Sequence, residues 1–177
     1  HYFPRSSAQG KYLAEGTLET NRIQAYRDPA QEELADWIRW SNDEARTHRD
    51  GLTPASMGIT GFVGWYVRTF YDRSDVLKKG FREATVKKVA DQVKTNGGWL
   101  VLTSQDSSIP TLLDTGRRFQ RLFLSVRERM IAIHPMTQLL EETPEGTMQL
   151  ARELGVNDPV QFILRTGYLT SYPDPVS

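Results

Sequence analysis

The residue types that carry acid–base, nucleophilic or metal chemistry are sparse and scattered in this sequence. The histidines are His1, His48 and His134, a spacing that does not match metal-ligand motifs, so we expect no metal site. The absence of cysteine excludes disulfides, thiolate catalysis and cysteine-bound metals. Neither a Ser–His–Asp pattern nor a defensible carboxylate pair is visible. The sequence therefore specifies no self-contained catalytic apparatus, which agrees with a protein whose cofactor carries the chemistry.

Composition narrows the class of protein further. The chain has 177 residues, with 22 basic and 22 acidic side chains and a formal net charge of zero. A generic nucleic-acid binder normally carries a basic surplus, so we expect no nucleic-acid partner. No apolar run approaches the ~18 residues of a membrane-spanning helix, so we predict no membrane span. The length suits one domain, or part of a larger one.

The segment of residues 98–138 organises the rest of the chain. Its apolar start, residues 99–103, predicts a buried strand. Ser107 or Ser108 can cap the following helix, and Pro110 suits its first turn. Apolar residues then recur mostly every three or four positions and predict a helix of roughly six turns that ends before Pro135. This stripe comprises Leu112, Leu113, Gly116, Phe119, Leu122, Phe123, Val126, Met130 and Ile133.

Residues 1–96 read as a helical lead-in. We predict helices over residues 6–27, capped by a Ser6–Gln9 box, and over residues 30–41. Residues 42–54 read as a polar connection, with a lid or a repeat-spanning arm as the other interpretation. A further helical region over residues 74–96 is capped by Ser74–Asp75, broken near Gly80 and closed by Asn96–Gly97 as left-handed residues.

Aromatic residues and glycines in the lead-in leave several interpretations open. Trp37 and Trp40 could stack a ligand, although core or interface packing is the default. The glycines at 58, 61 and 64 lack the strand–helix setting of a phosphate loop and favour a short, closely packed helix or a loop. The nearby aromatic cluster could cover a cofactor or dock a partner, with core packing again the default. It comprises Phe62, Trp65, Tyr66, Phe70 and Tyr71.

The end of the chain predicts one more helix and one more strand. Thr143 and Pro144 suit a helix start, and Gly155 suits the helix end near residue 154. Residues 160–164 predict a strand. Residues 97–170 would then form a strand–helix–helix–strand core. Because two strands alone are marginal, we expect another repeat, chain or subunit to complete the sheet.

These segments resemble the C-terminal half of the FMN-dependent nitroreductase family, in its long branch whose chains contain two repeats. The resemblance is carried by the WLVLTS strand, by Asp114-Thr-Gly116-Arg117, by the Ile-His-Pro-Met-Thr-Gln turn and by the strand from Pro159 that ends Arg165-Thr-Gly-Tyr168. It implies an α+β, nitroreductase-like fold with a mixed or antiparallel sheet flanked by helices, mostly helical in this chain. We therefore expect residues 1–177 to be a single domain, the C-terminal repeat of a longer chain.

The resemblance also implies a function and a site. The family's members are FMN-binding oxidoreductases that use NAD(P)H to reduce nitroaromatic, quinone-like or similar acceptors. Their turn after the long helix places backbone N–H groups near N5 and O4 of the flavin, and Pro135, Met136, Thr137 and Gln138 match that turn. An ordinary Pro-containing helix exit is the other interpretation. Arg165 matches an Arg of the final strand, with a role beside the phosphate, at an interface or in a structural salt bridge.

Two departures from the family pattern limit the FMN expectation. The phosphate-gripping Arg near the N-terminus and the Asn-x-Gln-Pro-Trp-like segment of the family do not appear, nor does the basic tail after the last strand. We therefore expect this chain alone to bind FMN poorly, and to act as a homodimer or beside a paired N-terminal repeat. A non-catalytic flavin-holding or dimerisation repeat, and a helical interaction module without a cofactor, are the alternatives. The resemblance allows a cytoplasmic location, or a periplasmic one if a twin-arginine signal precedes this segment.

Overall fold

The computed structural model describes residues 1–143 and 146–172, which combine helices with a four-stranded sheet. The predicted mixed α+β class, mostly helical, is confirmed. In chain order the described elements are β1 (Tyr2–Pro4), α1 (Ala8–Tyr26), α2 (Asp28–Trp37), α3 (Asn42–His48), α4 (Gly61–Phe70), α5 (Arg73–Leu77), α6 (Lys79–Lys94), β2 (Gly98–Thr103), α7 (Ile109–Glu128), β3 (Ile131–Pro135), α8 (Gln138–Glu142), α9 (Gly146–Leu154) and β4 (Val160–Tyr168).

Two compact units divide these elements. The first comprises His1–Asn21 with Lys88–Tyr172 and holds the sheet, and the second comprises Arg22–Lys87 and is helical. The boundary passes through α1 and α6. The interpretation of the chain as one repeat of a longer protein stays a prediction.

The sheet of the first unit has the strand order β1-β2-β4-β3, and each neighbouring pair is antiparallel. Trp99 pairs with Arg165, Val101 pairs with Ile163, and His134 pairs with Arg165 from the other side. The expectation of only two strands in this chain was wrong, because β1 and β3 flank the two predicted strands. Both strands are hard to predict from the sequence, because each is short and ends in a proline. Proline is nevertheless tolerated on edge strands.

Strand β3 replaces the last part of the predicted long helix. Helix α7 ends at Glu128, so Met130 and Ile133 lie outside it. Met130 adopts a left-handed conformation with φ of 56°, and its N–H donates to the Arg127 carbonyl at 3.1 Å. This residue reverses the chain, and β3 then pairs with β4 over its whole length. Ile131 and Ile133 are two residues apart, which is also the spacing of one face of a strand. Hydrogen bonding to β4 therefore outweighs the helical periodicity here.

One face of the sheet carries the main core of the first unit. Trp99, Val101 and Ile163 alternate onto this face and are at most 1% exposed. Residues of α1, α6, α8 and α9 pack with them, including the fully buried Leu150. Apolar burial of this extent is the main term that stabilises the unit.

The opposite face of the sheet meets α7. Phe119 of α7 stacks on Phe162 of β4 with ring centroids 4.8 Å apart. The C-terminal part of the α7 stripe is half-buried at Leu122, Phe123 and Val126. Its first residues, Leu112 and Leu113, are 40% and 66% exposed, and Leu124, beside the stripe, is 54% exposed. The predicted helix start is confirmed at Ser108, which occupies the N-cap position before Pro110.

The second unit is built from short helices around a small core. The predicted polar connection of residues 42–54 contains α3, whose capping box joins Ser41 and Glu44. Gly51 in the same connection adopts φ of 75°. Trp40 is buried and Trp37 is half exposed. The core comprises Ala35, Ile38, Trp40, Val67 and Val76.

Several predicted helix boundaries differ from the structure for local reasons. Ser7, not Ser6, caps α1, because its hydroxyl accepts from the Gly10 N–H at 3.0 Å. The helix predicted over residues 30–41 runs over Asp28–Trp37. Asp72 forms a capping box with Asp75, and the helical region breaks at Lys78, not at Gly80.

The ends of the later elements follow the sequence more closely. Gly155 ends α9 with φ of 70°, as predicted, while the Pro144 prediction lies outside the described residues. β4 extends four residues past the predicted end, to Tyr168. Asn96 and Gly97 do not adopt the predicted left-handed conformation.

The aromatic cluster on α4 is not core, because its five rings are 38–77% exposed.

Candidate functional site

The predicted site residues of the turn lie between β3 and α8. Pro135 ends β3 opposite Leu164, and Met136 is buried with 1% exposure. Thr137 is the N-cap of α8, and Gln138 is its first residue. The turn therefore begins one pairing position away from Arg165, so the strand register brings the predicted residues of the turn and Arg165 to the same end of β3.

The backbone donors of this turn are not equivalent. The Met136 N–H donates to the Ile163 carbonyl at 2.8 Å, so the sheet already uses it. Pro135 has no N–H to donate. The N–H groups of Thr137 and Gln138 lie at the start of α8, where a helix offers no intrahelical acceptor. Thus two of the four predicted residues can present backbone donors to a ligand.

The side chains of the turn add one unsatisfied group. The Thr137 hydroxyl donates to a carboxylate oxygen of Glu141 at 3.2 Å. The Gln138 Oε1 is buried with no hydrogen-bond partner in the described part of the chain. An unpaired buried acceptor costs roughly 1–3 kcal/mol, so this turn carries an unsatisfied acceptor beside its backbone donors.

Arg165 contacts neutral groups only. Its Nε donates to Nδ1 of His134 at 3.0 Å, and its Nη1 donates to the Gln92 carbonyl at 3.3 Å. Within residues 1–143 and 146–172 no carboxylate forms an ion pair with this guanidinium, so the structural salt bridge considered for Arg165 is absent from this region. Because Nδ1 accepts a hydrogen bond, the His134 ring is the neutral tautomer with its proton on Nε2.

The electrostatics of this pair favour negative charge nearby. Burial, with the positive charges of Arg165 and Lys88, lowers the pKa of His134 below its ordinary value of 6.5. Burial also lowers the pKa of Arg165. Burial is the largest cause of both pKa shifts, and the neighbouring cations add to it only at His134.

A small cleft of about 150 Å³ opens beside these two side chains. Asn96 forms part of its wall and is only 7% exposed, yet neither Nδ2 nor Oδ1 has a hydrogen-bond partner in the described residues. Neither Asn96 nor His134 was predicted as a site residue, because only the folded chain brings them to Arg165. The cleft is lined by Thr95, Asn96, Ala132, His134, Arg165, Thr166, Gly167, Tyr168 and Leu169.

A second, polar cleft of about 520 Å³ lies near the start of α7. Asp114 and Arg118 line it and form an exposed ion pair at 2.7 Å. This spacing of four residues is that of a helix surface pair. Gly116 of the Asp114-Thr-Gly116-Arg117 segment has no neighbouring atom where a Cβ would lie. The motif therefore contributes helix surface and not a closely packed ligand contact.

Two other properties bear on the type of site. In the parts of the chain that the structure describes, no three His, Asp or Glu side chains group as metal ligands. Of the helices in residues 1–143 and 146–172, none has both the length and the apolar character that a membrane crossing requires. Comparison of the chain with protein-family models, with curated proteins and with solved structures finds no match.

Proposed function

We propose that this chain is an FMN-binding repeat of a nitroreductase-like oxidoreductase, which uses NAD(P)H to reduce nitroaromatic or quinone-like acceptors. The observation that carries the proposal is the β3–α8 turn. The turn follows Pro135, which pairs one position away from Arg165, and it offers the N–H groups of Thr137 and Gln138. Arg165 is a cation without a carboxylate partner in the described residues. The antiparallel sheet flanked by helices is consistent with it.

The residues present fit the cofactor in part. Thr137 and Gln138 would donate to the acceptor edge of the flavin, and the buried Oε1 of Gln138 is available to its N–H donor. Pro135 shapes the turn, whereas the Met136 N–H is committed to Ile163. When bound, FMN supplies the hydride chemistry, and donors at its ring stabilise the electron-rich reduced state.

The phosphate end of FMN needs more positive charge than this turn supplies. Arg165 is the cation of the predicted site, and the other four residues of that site are neutral. We therefore propose that a second subunit or an N-terminal repeat supplies the missing cations. The chain alone would then bind FMN weakly.

Helix α7 supports a paired assembly. Leu112 and Leu113 at the start of its stripe and the neighbouring Leu124 are all at least 40% exposed, on a helix that packs on the sheet through Phe119. A large exposed apolar patch commonly marks a protein interface. The alternative function, a non-catalytic repeat that holds flavin or completes a partner's site, rests on the same stripe.

Flavin binding is tested by titrating the purified chain with FMN and following flavin fluorescence. An ester in place of the amide that contains the Gln138 N–H removes one donor and keeps every side chain. We expect it to weaken FMN binding about tenfold, the usual cost of one hydrogen bond of about 1–1.5 kcal/mol.

The comparison variant is Gln138→Ala, which keeps the N–H group and removes the side-chain acceptor. Unchanged affinity in the ester together with a loss in Gln138→Ala would assign the effect to the side chain and contradict a backbone donor. Bound FMN that NADH and NADPH both fail to reduce would favour the non-catalytic alternative. Absence of FMN binding by both the chain and its longer parent protein would overturn the proposal.

The assembly is tested by light scattering at micromolar concentration with Leu113→Glu. A charge at this exposed position should change monomer stability by less than about 0.5 kcal/mol and should dissociate a dimer built on α7. A wild-type chain that is already a monodisperse monomer would contradict the homodimer and leave pairing with another repeat.

A further inference from the structure

The cleft beside Arg165 has an unusual set of unsatisfied polar groups. Arg165 brings a full positive charge, and no acidic side chain is among the residues that line the cleft. Its Nε is held by His134 and its Nη1 by Gln92, so Nη2 is left without a partner in the described residues. A cation in this setting is stabilised by an oxyanion, which accepts from the guanidinium fork.

His134 extends the set of donors. Since its Nδ1 accepts from Arg165 Nε at 3.0 Å, its proton lies on Nε2. No hydrogen bond from Nε2 is present in the described residues, and the side chain is partly open to solvent. The ring can thus donate to the same oxyanion while Arg165 fixes its tautomer.

Asn96 adds a donor and an acceptor. Its carboxamide is buried and unpaired at both polar atoms in the described residues, an arrangement that is unfavourable unless a ligand supplies partners. A small rotation toward the cleft would let Nδ2 donate to an oxyanion. The Oδ1 then requires a donor, which a simple carboxylate lacks and which a P–OH or a hydroxyl group supplies.

The size of the cleft limits the ligand. Its volume of about 150 Å³ corresponds to roughly five water molecules at ~30 Å³ each. This space suits inorganic phosphate or a small hydroxy acid. The chemistry and the size therefore select the same class of ligand.

We propose that Arg165, His134 and Asn96 form a binding site for a small free oxyanion that also carries a hydroxyl group, with hydrogen phosphate as its simplest member. Arg165 supplies the charge, His134 Nε2 and Asn96 Nδ2 donate, and Asn96 Oδ1 accepts from the hydroxyl. The proposal shares Arg165 with the proposed flavin site but does not require that flavin binds at the β3–α8 turn.

Titration of the full chain with inorganic phosphate, without flavin and at constant ionic strength maintained with chloride, tests the site. Binding is followed by calorimetry and by the side-chain NMR signals of Arg165 and His134. We expect saturation, with these two signals shifting together. Arg165→Gln should weaken binding at least tenfold, the usual worth of a charge-assisted hydrogen bond.

Two variants separate this site from general surface charge. Arg118→Gln removes an exposed Arg that pairs with Asp114, and phosphate affinity should not change. Asn96→Leu keeps the volume and removes both polar atoms, so it should weaken phosphate binding while the far-UV spectrum stays native. Equal losses in Arg118→Gln and Arg165→Gln would overturn the proposal.

The nature of the oxyanion is tested by competition. Acetate lacks the hydroxyl group of glycolate at the same charge and should compete with phosphate more weakly than glycolate in the wild type, with the difference lost in Asn96→Leu. No saturable response to phosphate below roughly 10 mM would overturn the site, since such an affinity is only ~3 kcal/mol. Displacement of phosphate by FMN would overturn the assignment to a free anion and make the cleft the cofactor's phosphate end.

Discussion

The two faces of the sheet in the first unit differ in how completely they are covered. On one face Trp99, Val101 and Ile163 are closed from solvent by four helices. On the other, α7 packs through Phe119 and leaves Leu113 and Leu124 more than half exposed. An apolar stripe thus identifies the face of a helix that is suited to burial, but burial also requires a partner surface.

The cleft beside Arg165 lies on the well-covered face of the sheet, next to the edge strand β3. Strand alternation places Arg165 on the same face as Trp99 and Ile163, and His134 pairs with it from the edge strand. The same packing that excludes water from Trp99 therefore desolvates part of Arg165. This shared face explains why the cleft is small and charged, whereas the α7 face is broad and apolar.

The sharpest test of the difference between the faces compares two Leu→Ala variants on helices. Leu150→Ala, in the closed core, should lower the free energy of unfolding by about 2–5 kcal/mol, because it leaves a cavity. Leu113→Ala, on α7, should change it by less than about 0.5 kcal/mol. Urea unfolding of both variants measures the difference. Equal losses would mean that a partner covers α7 in solution.

Two Gly→Ala variants, one on each side of the sheet, should have smaller effects on stability. Gly155 ends α9 at φ of 70°, Gly116 lies within α7, and neither has atoms near the position that a Cβ would take. Gly155→Ala should destabilise by about 1 kcal/mol through strain. Gly116→Ala should stabilise by about 0.5–1 kcal/mol, because alanine favours helix. Thermal unfolding distinguishes them, and destabilisation by Gly116→Ala would indicate that a partner approaches α7 closely.

The smallest expected effect is the pH dependence contributed by His134. Its pKa is lowered in the folded state by burial and by Arg165 and Lys88. The unfolded chain therefore binds more protons between the two pKa values, and stability falls as the pH drops below about 6.5 toward the folded pKa. Unfolding by urea from about pH 8 to about pH 5.5 should show a shallower loss in His134→Gln. A steeper loss in that variant would contradict the sign of the shift, and added phosphate should reduce the loss in the wild type.

Local sequence patterns established much of the secondary structure. The strand at residues 99–103, the helix start at Ser108 and the helix end at Gly155 depend on neighbours a few residues away, and the structure has all three. Capping chemistry was predictable in kind but slipped by one or two residues at Ser7 and Asp72, since adjacent hydroxyl and carboxylate groups compete for the same backbone donors.

The candidate site was predictable only in part. Pro135, Met136, Thr137, Gln138 and Arg165 came from a resemblance, and the sequence could not tell which N–H groups of the turn the sheet would use. The Met136 N–H is consumed by Ile163, a residue 27 positions later in the chain. The residues next to His134 and Asn96 in the sequence form no motif that would predict their position beside Arg165.

The amino-acid order alone was enough to establish which segments are apolar, where several helices begin and end, and that no cysteine chemistry is available. Three features needed the folded chain: residues 131–135 form a strand, Arg165 lacks an acidic partner in the described chain, and the start of the α7 stripe stays exposed. The physical reason is the separation along the chain over which each interaction acts. Capping and periodicity act within one or two turns, whereas strand pairing and burial depend on residues distant in the chain.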